Sequence, residues 1–248
     1  MLERLEETGL SEAMLPDQLH LPEEAQTLLC KLIHAHKRSY PAGTLLKLEG
    51  DDTGSVFLVL SGWLLASKTL ADGQRQIVDI ILSGGILEPT SATPGVSALE
   101  VETLTDMTVA AIPRSRWHDA CGQFRDLAEL DHQISDAAMS RMAERMTRLG
   151  KAAAETVITY ALCELCLRST AHGLVEGMTF HIPMTQQQLG DFCGLSAVHI
   201  CRTLRRLERN EVLSVTDHMD IVVHDLATMA AIAEIDIDTL RQEIIPVA

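Results

Sequence analysis

Apolar residues recur along this chain with three successive spacings. From about Arg38 to Trp117 they form short runs, Leu45 to Leu48, Val56 to Leu60, Trp63 to Thr69, Gln76 to Leu82 and Val109 to Ile112. Between them stand turn formers: Pro41-Ala42-Gly43, Asp51-Asp52-Thr53-Gly54, Ser61-Gly62, Ala71-Asp72-Gly73 and Ser83-Gly84-Gly85. Strands recurring every ~8–12 residues predict an antiparallel barrel or jelly roll. Glu88 to Ser97, rich in Gly, Pro and Ser, is a long irregular connection of the kind that often carries function. From about Trp117 to Leu149 the spacing turns helical, through Leu127, Leu130, Ile134, Ala138, Met142, Met146 and Leu149. One helix of roughly 30 residues is expected there, longer than one small domain needs. Gly150-Lys151-Ala152 reads as a hinge, and Ala153 to Arg168 as a further helix with Val157, Leu162, Leu165 and Leu167 inward.

The third spacing is the most specific. Leu189, Phe192, Leu195, Ile200, Leu204 and Leu207 give two short helices one shared core, with Gly194 at the turn between them. Thr185 is the expected N-cap of the first helix and Ser196 that of the second. Ala197, Val198, His199 and Arg202 then lie on the first turns of the second helix, as in a helix that enters the DNA major groove. Val212 to Val215 and Ile221 to His224 flank Asp217-His218-Met219-Asp220 as a hairpin, which completes a winged helix-turn-helix. Arg202 is suited to a bidentate pair with guanine O6 and N7. His199 can donate to guanine N7 or to a phosphate, and Ala197 can at most touch a thymine methyl. Thr203, Arg205, Arg206 and Arg209 are expected at phosphates or in solvent. Thr185 and Gln186 to Gln188 place a helix N-terminus and amide groups near the DNA backbone.

Composition narrows this picture. The 248-residue chain carries a net charge of −15, unusual for a nucleic-acid binder. The exception is local: Ser196 to Asn210 holds Arg202, Arg205, Arg206 and Arg209 against Glu208 alone. A basic stripe on an acidic body confines DNA contact to one surface and suits a selective regulator rather than a bulk DNA coater. No stretch approaches the ~20 apolar residues of a membrane span, and Met1 to Glu7 is too acidic for a secretory leader. The six cysteines lack disulfide-framework spacing and fit a reducing cytoplasm. The long apolar helix fits a parallel homodimer seam or a helix packed on its own barrel. The dimer is favoured because a symmetric reader needs two recognition helices about one DNA turn apart.

Roll, long helix, hinge and winged helix, in that order, resemble the Crp–Fnr family of bacterial transcription regulators. The resemblance rests on Pro41-Ala42-Gly43-Thr44-Leu45, Val56 to Gly62 and Asp72 to Ile77, similar to the family's cyclic-nucleotide-binding β-roll. It rests equally on Leu195 to Leu204, similar to its recognition helix. The family implies an α+β protein: a sensing domain with N-terminal helices over 1–116, a dimerisation helix over 117–150, and a DNA-binding domain over 151–248. It also implies a cytoplasmic homodimer on a roughly two-fold symmetric operator in double-stranded DNA, in contact with RNA polymerase.

This chain departs from the family pattern at its ligand sites. Glu88 matches the ribose-binding glutamate, yet Val96, followed by Ser97, stands where an arginine neutralises the cyclic phosphate, an anion costly to bury unpaired. Met142 falls near the purine position of the long helix. Glu88, Val96, Ser97 and Met142 thus outline the candidate effector pocket, and cyclic AMP is not its expected ligand. Only Cys30 precedes the roll, which does not support an N-terminal iron–sulfur cluster. Cys163 and Cys166 read as buried small hydrophobes, and the spacing of His34, His36, His118 and His132 does not mark a haem site. No cofactor or metal is predicted, and no nucleophile–base pair suggests an enzyme. A ligand-independent DNA-bound scaffold with a protein-binding roll, or a regulator gated by oxidation of Cys193 or Cys201, are the alternatives. The tail from Ala230 to Ala248 reads as a short helix covering the wing or a partner subunit.

Overall fold

The computed structural model describes residues 21–52, 54–89, 91, 95–176, 178–216 and 219–246. The acidic N-terminal stretch, part of the 88–97 connection and the wing tip at Asp217-His218 lie outside the described residues. The order of elements is α1 (Glu23–His36), β1 (Lys37–Tyr40), β2 (Leu45–Lys47), β3 (Ser55–Ser61), β4 (Leu64–Thr69), β5 (Arg75–Ile81), β6 (Ile86–Leu87), β7 (Glu100–Thr103), β8 (Met107–Pro113), α2 (Arg114–Gln123) and α3 (Arg125–Lys151). After them come α4 (Ala154–Ala171), β9 (Val175–Glu176), β10 (Thr179–His181), α5 (Gln186–Cys193), α6 (Ala197–Arg209), β11 (Leu213–Val215), β12 (Asp220–Val223), α7 (Leu226–Ala233) and α8 (Ile237–Ile244). The architecture is α+β: an N-terminal β-roll, a long helix and a C-terminal helix-turn-helix domain. Among the described residues no helix is long and apolar enough to cross a membrane.

The roll follows from β3. Successive strand side chains point to opposite faces, and both faces of β3 are apolar. Val56, Leu58 and Leu60 pack with Ala25, Leu29 and Ile33 of α1 and with Trp117 and Ala120 of α2. Phe57 and Val59 pack on the other side with Leu64, Ala66, Val101, Met107 and Val109. One four-stranded sheet therefore runs β1-β8-β3-β6, and a second runs β2-β7-β4-β5. Strands β1 and β7 carry mainly polar side chains, Lys-Arg-Ser-Tyr and Glu-Val-Glu-Thr, and lay outside the expected runs.

Helical spacing beyond the roll predicts one continuous helix, but the chain breaks at Phe124, whose backbone is extended (φ −125°, ψ 114°). Gly122 weakens the preceding turn, and Phe124 packs beside the core that holds Leu127. The long helix is therefore α3 alone, 27 residues.

The chain divides into two compact units. One holds residues 21–68 and 79–136; the other holds Thr69–Val78 and Ala137–Pro246. The division thus falls within α3, and the turn between β4 and β5 belongs to the second unit.

Candidate nucleic-acid interface

Two caps and two glycines shape the helix-turn-helix. The Thr185 hydroxyl accepts the Gln188 backbone N–H (3.1 Å), while the Gln188 side-chain oxygen accepts the Thr185 N–H (2.9 Å), a closed capping box that starts α5. Gly194 ends α5 at φ 63°, a left-handed conformation that side chains with a Cβ adopt at a cost. Gly190 acts differently. A Cβ there would lie 2.5 Å from the Leu195 carbonyl oxygen, so glycine is what lets α5 and the turn into α6 approach this closely. That role was not visible in the sequence, where Gly190 stands inside a helical pattern.

The inward face of α6 is Ile200, Leu204 and Leu207, packed with Leu189 and Phe192 of α5. Thr203 shares that face at 4% exposure, which corrects its expected place at phosphates or in solvent. Outward stand Val198 (56% exposed), His199, Arg202, Arg205, Arg206 and Arg209, with Ala197 half-buried. Arg206 donates to Glu155 of α4 at 2.9 Å, so part of its charge is met within the domain rather than offered to a phosphate. Ser196 caps α6 by accepting the His199 N–H (3.4 Å), and its hydroxyl also lies 3.0 Å from His199 Nδ1.

Beside this face opens a cleft of about 670 Å³, lined among others by Thr185, Gln186, Arg205 and Thr216. A helix N-terminus, an arginine and hydroxyls around one channel suit an anionic backbone. The wing strands β11 and β12 extend into a sheet ordered β11-β12-β10-β9. The short β9 and β10 were not foreseen, and β10 carries His181, 2.7 Å from Asp220 across the sheet.

Helix α4 is the axis of this unit, buried on every side from Thr156 to Ser169. Its Glu164 carboxylate, 0% exposed, lies between Arg145 of α3 (3.3 Å) and Arg168 (3.1 Å). Arg145 also donates to the Val78 carbonyl at 2.6 Å, and the Arg148 guanidinium stacks 4.0 Å from the Tyr160 ring centroid. Burial, and then Glu164, hold the Tyr160 hydroxyl well above its usual range. Arg141 reaches the Ile244 carbonyl and Arg148 the Ala233 carbonyl, the C-terminal ends of α8 and α7. The tail is thus two helices, each capped by an aspartate (Asp225, Asp236), that lie against α4 and the arginines of α3. Arg141, Arg145 and Arg148 thus form the inward face of this half of α3.

The seam itself changes accordingly. Leu127 and Leu130 are buried in their own chain and leave no surface for a partner. Ile134, Ala138 and Met142 are half-buried, and the exposed apolar residues are Met139 (64%), Met146 (71%) and Leu149 (45%). Met139, Met142, Met146 and Leu149 recur at spacings of three, four and three, a heptad register one residue away from the expected Ala138.

Of the expected effector residues, Glu88 is engaged by Arg114 and His118 of α2. Ser97 is 1% exposed and donates to the Leu99 carbonyl, and Val96 pairs with Asp52 in a β-bridge. None of the three presents a cation to a phosphate. None of the six cysteines forms a disulfide. Burial, with Glu164 second, pushes the Cys193 thiol up to about 12, and burial does the same for Cys163. Cys201, on α6, is half-buried. Among the described residues no group of three or more His, Cys, Asp or Glu is placed to hold a metal ion.

Comparison with known proteins finds two family matches in this order: a cyclic nucleotide-binding domain over residues 37–124 and a Crp-like helix-turn-helix domain over residues 158–232. The transcriptional activator protein FnrL of Cereibacter sphaeroides is 26% identical over 81% of this chain and 82% of its own length. The nitrogen fixation regulation protein FixK of Bradyrhizobium diazoefficiens is 28% identical over 78% of this chain and 80% of its own. Among solved structures, FixK2 from Bradyrhizobium japonicum superposes with a TM-score of 0.71 at 23% identity, covering 79% of this chain and 96% of that one.

Proposed function

The chain belongs to the Crp/Fnr family of DNA-binding transcription regulators, and from that premise we propose that it works in the cytoplasm as a homodimer reading a roughly palindromic operator with α6. The observation that carries this reading is the outward set Val198, His199 and Arg202 on the first turns of a helix whose opposite face, Ile200, Leu204 and Leu207 with Thr203, is buried. Arg202 takes a guanine edge, and Arg205 with the Thr185–Gln186 end of α5 takes phosphates. Thr203 drops out of the reading surface, and Arg206 serves chiefly to hold α6 against α4.

The dimer is supported by the heptad of Met139, Met142, Met146 and Leu149, an apolar stripe exposed at Met139, Met146 and Leu149 on an acidic protein. Two such helices side by side would set two copies of α6 about one DNA turn apart. The roll supplies the gate. Glu88 held by Arg114, and Val96 in place of an arginine, favour an effector other than cyclic AMP. Family membership supports contact with RNA polymerase. A thiol-gated version narrows to Cys201, because the Cys193 thiol is buried and holds its proton.

Sedimentation of the protein with a duplex recovered from its own promoter tests the reading. Two chains per duplex are expected; one chain, or no complex at any effector concentration, contradicts it.

A further inference from the structure

The cap of α6 does more than start a helix. Ser196 Oγ lies 3.0 Å from His199 Nδ1 while also accepting the His199 backbone N–H. A hydroxyl has one proton and two lone pairs. One lone pair meets the backbone N–H, and the hydroxyl meets Nδ1 either by donating its single proton or by accepting at its second lone pair. A neutral imidazole accepts at one nitrogen and donates at the other, so an accepting Nδ1 leaves the proton on Nε2. Nε2 lies on the far side of the ring from Ser196, on an exposed residue one helical turn before Arg202.

We propose that Ser196 is a positioning residue for base readout: it fixes His199 in the Nε2–H form, as a single donor aimed at a purine acceptor. The base chemistry follows. Guanine offers two acceptors, N7 and O6, in the major groove, whereas adenine pairs its N7 with a donor. A single donor beside the Arg202 contact can reach N7 of either purine, but at guanine it meets O6 as a second acceptor where adenine presents its N6 amino donor. Guanine is therefore favoured at a second position of each half-site. The inference rests on α6 being the reading helix, and it adds the identity of one base pair and the residue that sets it.

The test is selection of bound sequences from a random-sequence duplex library by the full-length protein, together with the imidazole nitrogen chemical shifts of His199. Wild type and Ser196→Thr should both enrich guanine at one position next to that read by Arg202, with Nδ1 unprotonated. Glycine caps a helix almost as well as serine, so Ser196→Gly keeps α6 but should lose roughly tenfold discrimination at that position alone. His199→Gln, a bidentate partner for adenine, should turn the position from guanine to adenine. Guanine preference unchanged in Ser196→Gly and His199→Gln, or a protonated Nδ1 in wild type, would overturn the assignment. Failure of wild type to enrich any sequence would instead overturn the reading of α6 on which it rests. Should Ser196→Gly not fold, His199→Gln and the wild-type shifts decide the matter.

Discussion

The Arg145 guanidinium lies 4.6 Å from the centre of the Phe192 ring, stacking the long helix α3 on the first helix of the DNA-binding motif. The same group meets the Glu164 carboxylate of α4 and the Val78 carbonyl of β5. Arg75 and Gln76, at the start of β5, reach the motif as well, toward Asp191 (3.5 Å) and the Phe192 carbonyl (3.2 Å). One side chain thus ties four segments, and its removal takes from the buried Glu164 one of its two arginine partners, Arg145 and Arg168. Breaking a buried ion pair from one side costs about 3–5 kcal/mol. Arg145→Ala should lower the unfolding free energy of this unit by that order, measured by urea denaturation. A loss below about 1 kcal/mol, typical of exposed pairs, would show the cluster to be dispensable.

Gly190 and Gly150 provide a matched pair. Gly190→Ala drives a methyl into the Leu195 carbonyl, whereas nothing lies within 4 Å of a Cβ added at Gly150. Gly190→Ala should abolish sequence-selective DNA binding while leaving the roll folded. Gly150→Ala, inside α3, should be neutral or stabilise by up to about 1 kcal/mol. DNA binding and melting curves of the two variants check this.

The two ends of α3 should respond oppositely to substitution. Met146→Glu places a charge on the exposed heptad and should weaken self-association at least tenfold without lowering the stability of the monomer. Leu127→Ala should cost about 2–5 kcal/mol of stability with little direct effect on the dimer. Light scattering across a concentration series separates the outcomes. A Met146→Glu protein that stays dimeric would move the seam elsewhere.

Thiol reactivity should follow burial. Cys193 and Cys163, held near 12, expose about one thiolate in ten thousand at pH 8, and burial raises Cys166 and Cys121 as well. Iodoacetamide at pH 8 should modify the half-buried Cys30 and Cys201 first. Mass mapping that finds Cys193 labelled as fast as Cys201 would reopen Cys193 as a sensor.

Much of this was legible in the sequence because spacing and burial agree where helices and strands are amphipathic. Leu189, Phe192, Ile200, Leu204 and Leu207 occupy the core that their periodicity implies, and Thr185, Ser196 and Gly194 cap and turn as their types suggest. Reading failed where tertiary contacts overrode pattern. Arg141, Arg145 and Arg148 are charged side chains that the apolar spacing of this helix says nothing about, yet backbone carbonyls, Glu164, Phe192 and Tyr160 make a buried face suitable for them. Thr203 is small enough to lie inward among leucines, so its polarity misdirected its placement. The break at Phe124 was hidden because Leu127 and Leu130 keep helical spacing on both readings. Glu88 carries the family's expected side chain, but only the structure shows Arg114 and His118 holding it.

The most direct test of the central claim is a fluorescence anisotropy titration across a salt series. It compares wild type and Arg202→Ala on a selected operator duplex and on the same duplex with its sequence shuffled. Wild type should prefer the operator, with affinity falling as salt rises, and Arg202→Ala should lose at least about tenfold on the operator while binding the shuffled duplex as before. Equal affinity of wild type for both duplexes, or an Arg202→Ala protein that binds the operator undiminished, would contradict the assignment of α6 as the reader.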